Sequence, residues 1–198
     1  MARPVVFWFE FASTYSYLSA MRVEDEAAKL GVEVIWRPFL LGPIFHAQGW
    51  DNSPFNIYPA KGRYMWRDMA RRAETFGLAF QRPDVFPQNS LLAARAATAA
   101  LHEDWGKAFC RRIYQAQFAE GKDISYPDVV ASCIEAAGGV AQTFMFSAYS
   151  DSQKAALRAN VEEAQAKGIF GAPSFTVGEE LFWGDDRLEE ALNWAAKA

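Results

Sequence analysis

The chain has 198 residues, 51% of them hydrophobic and 22% charged, and a formal net charge of −4. That length suits one domain, or one domain carrying an inserted sub-domain, and buries enough surface to fold without disulfides or metals. The composition excludes wholesale disorder, and an acidic balance with no basic run argues against nucleic acid or an anionic membrane as the main partner.

Val5 to Phe11 is an almost continuous apolar run rich in β-branched and aromatic residues, which predicts a buried strand. Glu10 interrupts the run, so it reads as a strand and not as a signal peptide. Ser13 offers an N-cap to a single predicted helix in which Tyr17, Leu18, Met21 and Ala28 recur with helical spacing until Gly31. Val32 to Trp36 is a second strand, ended by Pro38, and strand–helix–strand makes a parallel βαβ unit. Leu41 to Pro59 carries five Gly and Pro residues without a period and reads as a long functional loop. Predicted helices follow over Gly62–Phe76, Asn89–Leu101 and Trp105–Phe118. Another starts at Ser125–Tyr126–Pro127–Asp128 and stops at Gly138–Gly139, and one from the Ser150/Gln153 capping box runs to Lys167. Ser174–Val177 and Leu181–Trp183 form a hairpin turning at Gly178–Glu179, and Asp185 is expected to cap a last helix over Asp186–Ala196. No stretch approaches the roughly 18 uninterrupted apolar residues of a membrane span.

The order is therefore βαβ, a helical block, then ββα. This is an α/β, thioredoxin-like connectivity with a large all-helical insertion: residues 1–40 and 168–198 form the thioredoxin-like part and 41–167 the insertion. In that fold thiol–disulfide oxidoreductases place C-x-x-C at the N-terminus of the first helix, where free N–H groups stabilise a thiolate. Here Phe11-Ala12-Ser13-Thr14-Tyr15-Ser16 puts serine at both positions. Cys110 and Cys133, the only cysteines, fall on helices of the insertion, and they indicate a reducing, cytoplasmic setting. They form no recognised zinc pattern with His46 and His102, so no metal site is expected. Pro173 stands immediately before the third strand, where the fold carries a cis-proline facing the motif. Sixteen phenylalanines, seven tryptophans and seven tyrosines exceed what a core alone usually asks for, and some are expected to line a pocket.

Five segments in order carry a family resemblance: FEFASTYSY (Phe9–Tyr17), PFLLGPIF (Pro38–Phe45), PAKGRYM (Pro59–Met65), GIFGAPSF (Gly168–Phe175) and FWGDDRL (Phe182–Leu188). Over nearly its whole length the chain resembles the DsbA-like branch of 2-hydroxychromene-2-carboxylate isomerases and kappa-class glutathione transferases. The resemblance implies glutathione as cofactor and Ser13 as the catalytic residue whose hydroxyl donates to the glutathione sulfur; from the residues alone, Ser13 reads as an N-cap. It implies that Lys61 reaches a glutathione carboxylate, with Asn52 nearby. Ala172 would pair its backbone with the cysteinyl part beside Pro173, and Asp185, Asp186 and Arg187 would meet the γ-glutamyl end. The alternatives are a solvated lysine and an acidic cap with a solvent arginine. Thr14 departs from the S-P-Y usual in the family, and Gly49–Pro54 is spaced differently from its G-N-x-P-P. Tyr15, His46, Trp50 and Phe55 are pocket candidates, His46 as acid or base or in a solvent or packing role, whereas Trp66 is expected in a helix core.

The activity so implied is glutathione-dependent cis/trans isomerisation through reversible addition of the thiolate to a small aromatic or conjugated keto acid, by a homodimer. A kappa-like glutathione S-transferase is the alternative, and a catalytically silent glutathione-binding protein is a third.

Overall fold

The structure is a computed structural model that describes residues 2–197. Four strands form one mixed sheet in the order β2-β1-β3-β4. Strand β1 (Val5–Phe9) pairs in parallel with β2 (Val34–Pro38), with Phe7 opposite Trp36. It pairs antiparallel with β3 (Ser174–Val177), with Phe7 opposite Phe175, and β3 turns back into β4 (Glu180–Trp183). Pro38 falls inside β2 and not beyond it, which an edge strand tolerates because the missing N–H need not face a neighbour. Eight helices lie between β2 and β3, within the span expected for the insertion.

Four predicted elements are corrected. Strand β1 stops at Phe9, because Glu10 begins a tight turn in which the Ser13 N–H donates to the Glu10 carbonyl at 3.0 Å. The single helix expected up to Gly31 is two, α1 (Thr14–Ala20) and α2 (Val23–Leu30). The break follows from Arg22, whose N–H drops back to Ser19, while its guanidinium lies 3.8 Å from the Phe76 ring centroid and 2.6 Å from Glu189. The segment read as a loop contains α3 (Leu41–Ala47) and α4 (Pro54–Ile57). The last helix, α11 (Leu188–Ala196), follows a 3-10 turn at Asp185–Arg187, and Asp185 does not cap it. One helix, α9 (Ala141–Ala148), is absent from the sequence reading. Helix α5 (Pro59–Thr75) starts three residues before the Gly62 expected.

Most of the aromatic surplus is core. Phe7 stacks on Phe175 at 5.4 Å and meets Trp36 edge-on at 5.0 Å, and the same cluster runs on through Phe9, Phe11 and Tyr114 into helix α7 (Gly106–Phe118). On the other face of the sheet Trp8 and Phe39 pack with Ile44, Val161 and Ile169. The buried Trp8 indole donates to Thr176 Oγ1 at 3.1 Å, as a buried N–H must find a partner. Among the described residues no helix is long and apolar enough to cross a membrane, and no group of three or more His, Cys, Asp or Glu could hold a metal ion.

Candidate functional site

The carboxyl end of β1, the N-terminus of α1 and the segment before β3 meet at a cleft of about 1190 Å³. Its opposite walls are α3, α4 and one face of α5. Every residue nominated from the sequence for catalysis, cofactor or substrate lines this one cleft. Trp66 does not: it packs against Phe80 and Phe86 under the Arg82 guanidinium.

Ser13 sits at the floor in extended backbone (φ −84°, ψ 118°) and caps α1, its Oγ accepting from the Ser16 N–H at 3.2 Å. The same hydroxyl donates to the Ala172 carbonyl at 2.8 Å. The Ala172–Pro173 bond is cis, and the Pro173 carbonyl accepts from Gly184 N–H at 2.9 Å, which ties the cis-proline segment to the chain entering the last helix. Ser16, at the other position of the missing cysteine pair, is fully buried under α1.

Two of the acids at the last helix differ in kind. Asp186 is exposed, whereas Asp185 is buried and bonds the Arg72 guanidinium at 2.6 Å. Asp185, expected at the γ-glutamyl end or as an acidic cap, is thus ion-paired through Oδ2. Burial raises its pKa to about 6, against the pull of Arg72 and Arg22 and with the push of Asp186 and Asp68. Arg187 is exposed and only 3.4 Å from Glu190, a weak surface pair.

The facing wall is partly aromatic. Trp50 lies against Phe45 at 5.7 Å, and Phe55 lies 6.3 Å from Tyr15. The Tyr15 phenol donates to Asp68 Oδ2 at 3.0 Å; burial first and then Asp68 raise its pKa, so it stays protonated. Asn52 accepts from the Ser53 N–H and the Asn56 amide, which leaves its own NH2 group for a ligand. Lys61 is exposed on the first turn of α5, its Nζ 4.8 Å from the Tyr58 ring centroid, and His46 is exposed at the rim on α3.

Sequence reading missed Glu10, Asp68, Arg72 and Ser90. Three of these carried a signal. Lys61, Tyr64, Asp68 and Arg72 are spaced by three or four and form one polar stripe of α5 facing the cleft. Glu10, the lone acid in an apolar run, is buried, and burial raises its pKa above the usual carboxylate range. No cysteine lines the cleft. Cys110 and Cys133 are free and buried, and burial raises both thiols, Cys133 to about 11.

A model of the DSBA-like thioredoxin domain matches residues 4–193. The chain belongs to that family. Within it, the chain is 28% identical over 191 residues to 2-hydroxychromene-2-carboxylate isomerase of Sphingobium xenophagum, covering 96% of each chain. It is 26% identical to glutathione S-transferase kappa 2 of Caenorhabditis elegans, covering 98% of this chain and 92% of the relative. A solved 2-hydroxychromene-2-carboxylate isomerase superposes with a TM-score of 0.88 at 23% identity, covering 98% of this chain and 94% of the other. The likeness read from the five sequence segments is borne out. This DSBA-like chain is thus built with serine at both positions of the thiol pair, and its own thiols are buried away from the cleft.

Proposed function

We propose that the protein is a glutathione-dependent isomerase of the 2-hydroxychromene-2-carboxylate isomerase type. The observation that carries this reading is the Ser13 hydroxyl, set at a helix N-terminus 2.8 Å from the carbonyl before cis-Pro173, in a cleft without a cysteine. Nucleophilic chemistry on a conjugated carbon then needs a thiol brought from outside.

The residues present fit glutathione. The Ala172 backbone would hold its cysteinyl part in the manner of an added strand. Lys61, with the Asn52 NH2 group, would take a carboxylate, and the spare oxygen of Asp185 with Asp186 would take the ammonium. Arg187 would stand beside the γ-glutamyl carboxylate. When bound, glutathione supplies a thiolate that adds reversibly to an electrophilic carbon.

Ser13 has one hydrogen, which the Ala172 carbonyl accepts. A ligand N–H that takes over that carbonyl releases the hydroxyl to turn toward a sulfur. Binding and thiol activation are then one event: the group that recognises the cysteinyl backbone frees the donor that stabilises the anion. Tyr15 stays protonated and bonded to Asp68, so it shapes the slot with Phe55 and Trp50 and takes no part as a base. The substrate read for this slot is a small aromatic or conjugated keto acid.

The test is the ultraviolet absorbance of the thiolate in the glutathione complex across a pH titration. Wild-type protein should lower the thiol pKa by at least one unit from its ordinary value of about 8.5, and Ser13→Ala should return it there. Ser13→Ala also loses the α1 cap, at about 1 kcal/mol. Equal titrations in the two proteins would refute the role of Ser13. A kappa-like transferase, which would bind glutathione in the same cleft, is the second reading, favoured by the kappa-class relative. Glutathione binding without turnover would leave the catalytically silent glutathione-binding protein. Buried free thiols suit the reducing compartment expected for a glutathione enzyme.

A further inference from the structure

Glu10 is a carboxyl group buried at the cleft floor, and among the described residues no Lys or Arg pairs with it. Its partners are all hydrogen-bond donors, and they come from three separate stretches of chain. Oε1 accepts from the Ala12 N–H at 3.2 Å and from the Ser90 hydroxyl, and Oε2 accepts from the Leu41 N–H at 3.0 Å. The main-chain carbonyl of the same residue accepts from the Ser13 N–H at 3.0 Å and from the Tyr114 phenol at 3.0 Å. One residue thus fastens the turn that carries Ser13, the first turn of α3 on the facing wall, and the start of α6 (Leu91–Ala100).

We propose that Glu10 is a positioning residue, a carboxylate clamp that holds the Ser13 turn against α3 and α6 so that the Ser13 hydroxyl meets a bound thiol in a fixed place. This rests on the glutathione reading of the cleft. An ionised carboxylate only accepts, and three donors converge on its two oxygens. Glutamine at this place would turn an NH2 group toward a donor and open the clamp at one of the three stretches, although it has the same volume. Burial without a cation is costly for a carboxylate, and its raised pKa reflects that cost. Three donors on its two oxygens offset that cost, and all three donor residues line the cleft. A displacement of the reacting group by about 1 Å costs on the order of 100-fold in rate, so a clamp on the Ser13 turn bears directly on turnover.

The test compares wild-type protein with Glu10→Gln in three readouts. Amide hydrogen exchange without ligand should be about tenfold faster or more at Ala12, Ser13 and Leu41 in the variant, with Val177 and Leu192 unchanged. The thiol pKa of bound glutathione should rise toward its ordinary value. With 2-hydroxychromene-2-carboxylate as probe, kcat should fall about tenfold or more while KM stays within about threefold. Should Glu10→Gln fail to fold, Ser90→Ala removes one donor and should move the same readouts in the same direction by a smaller factor. Unchanged exchange at Ala12 and Leu41 overturns the clamp, whatever happens with glutathione. Faster exchange with an unchanged thiol pKa and kcat overturns its action on Ser13. A wild-type protein that does not bind glutathione overturns the proposed function instead, and exchange then decides the clamp alone.

Discussion

Ser13 shows how one residue holds two roles without conflict. Its lone pairs cap α1 and its hydrogen goes to Ala172, so the cap and the donor use different parts of one hydroxyl. Asp185 shows the opposite, because Arg72 already holds one of its oxygens. Its pKa, raised from 3.8 to about 6, has a definite sign for stability and for binding. The fold favours the protonated form, so the contribution to stability is present below about 3.8 and is lost as pH rises through about 6. An ammonium ligand favours the ionised form. Glutathione affinity, measured by calorimetry, should therefore weaken about tenfold between pH 7 and pH 5 as Asp185 takes a proton. A constant affinity over that range would remove Asp185 from the ligand site. Of the residues around it, Asp185 was legible through its motif. Arg72 carries the signal of its α5 stripe, but its pairing with Asp185 was not legible, because their sequence separation of 113 leaves no local pattern.

At the scale of elements, what could be read was whatever local chemistry dictates. The Gly31 C-cap, with φ 64°, and the Ser150 N-cap, which accepts from the Gln153 N–H, lie where the sequence puts them. Helix α3 is not legible locally, because its cap comes from Glu10, 31 residues earlier, and no side chain within the segment marks its start. The division of α1 from α2 was hidden for a similar reason, since Arg22 is held by Phe76 and Glu189. Gly62 joins two elements of the facing wall. A Cβ there would stand 2.3 Å from the Phe55 carbonyl oxygen, which is backbone and cannot swing aside. Gly62→Ala should push α4 away from α5, at a cost of about 1–3 kcal/mol. Because Lys61, Phe55 and Asn52 move with that contact, glutathione affinity should fall along with the melting temperature. A variant with unchanged melting temperature and affinity would show that the α4–α5 contact does not position the wall.

The whole molecule is a four-stranded thioredoxin-like sheet with eight helices between β2 and β3, and the cleft lies where the carboxyl end of β1 and the segment before β3 face α3, α4 and α5. That connectivity was legible because each part announces itself: β-branched and aromatic runs at the ends of the chain, helical periods in the middle. The walls of the cleft were legible only as five short motifs, since a site assembled from distant segments has no periodicity of its own. The two cysteines first spoke only of a reducing compartment. Placed in the fold, both are buried on helices between β2 and β3, and the positions of the usual thiol pair are Ser13 and Ser16. The central claim is thus that the reactive thiol is brought in by glutathione. It is tested most directly by turnover of 2-hydroxychromene-2-carboxylate by a Cys110→Ala/Cys133→Ala variant, with total free thiol counted throughout. The prediction is a rate within about twofold of wild type, absolute dependence on glutathione, and no loss of thiol. Turnover without glutathione, or loss of activity with the two cysteines, would contradict it, and stoichiometric loss of thiol would make the enzyme a transferase.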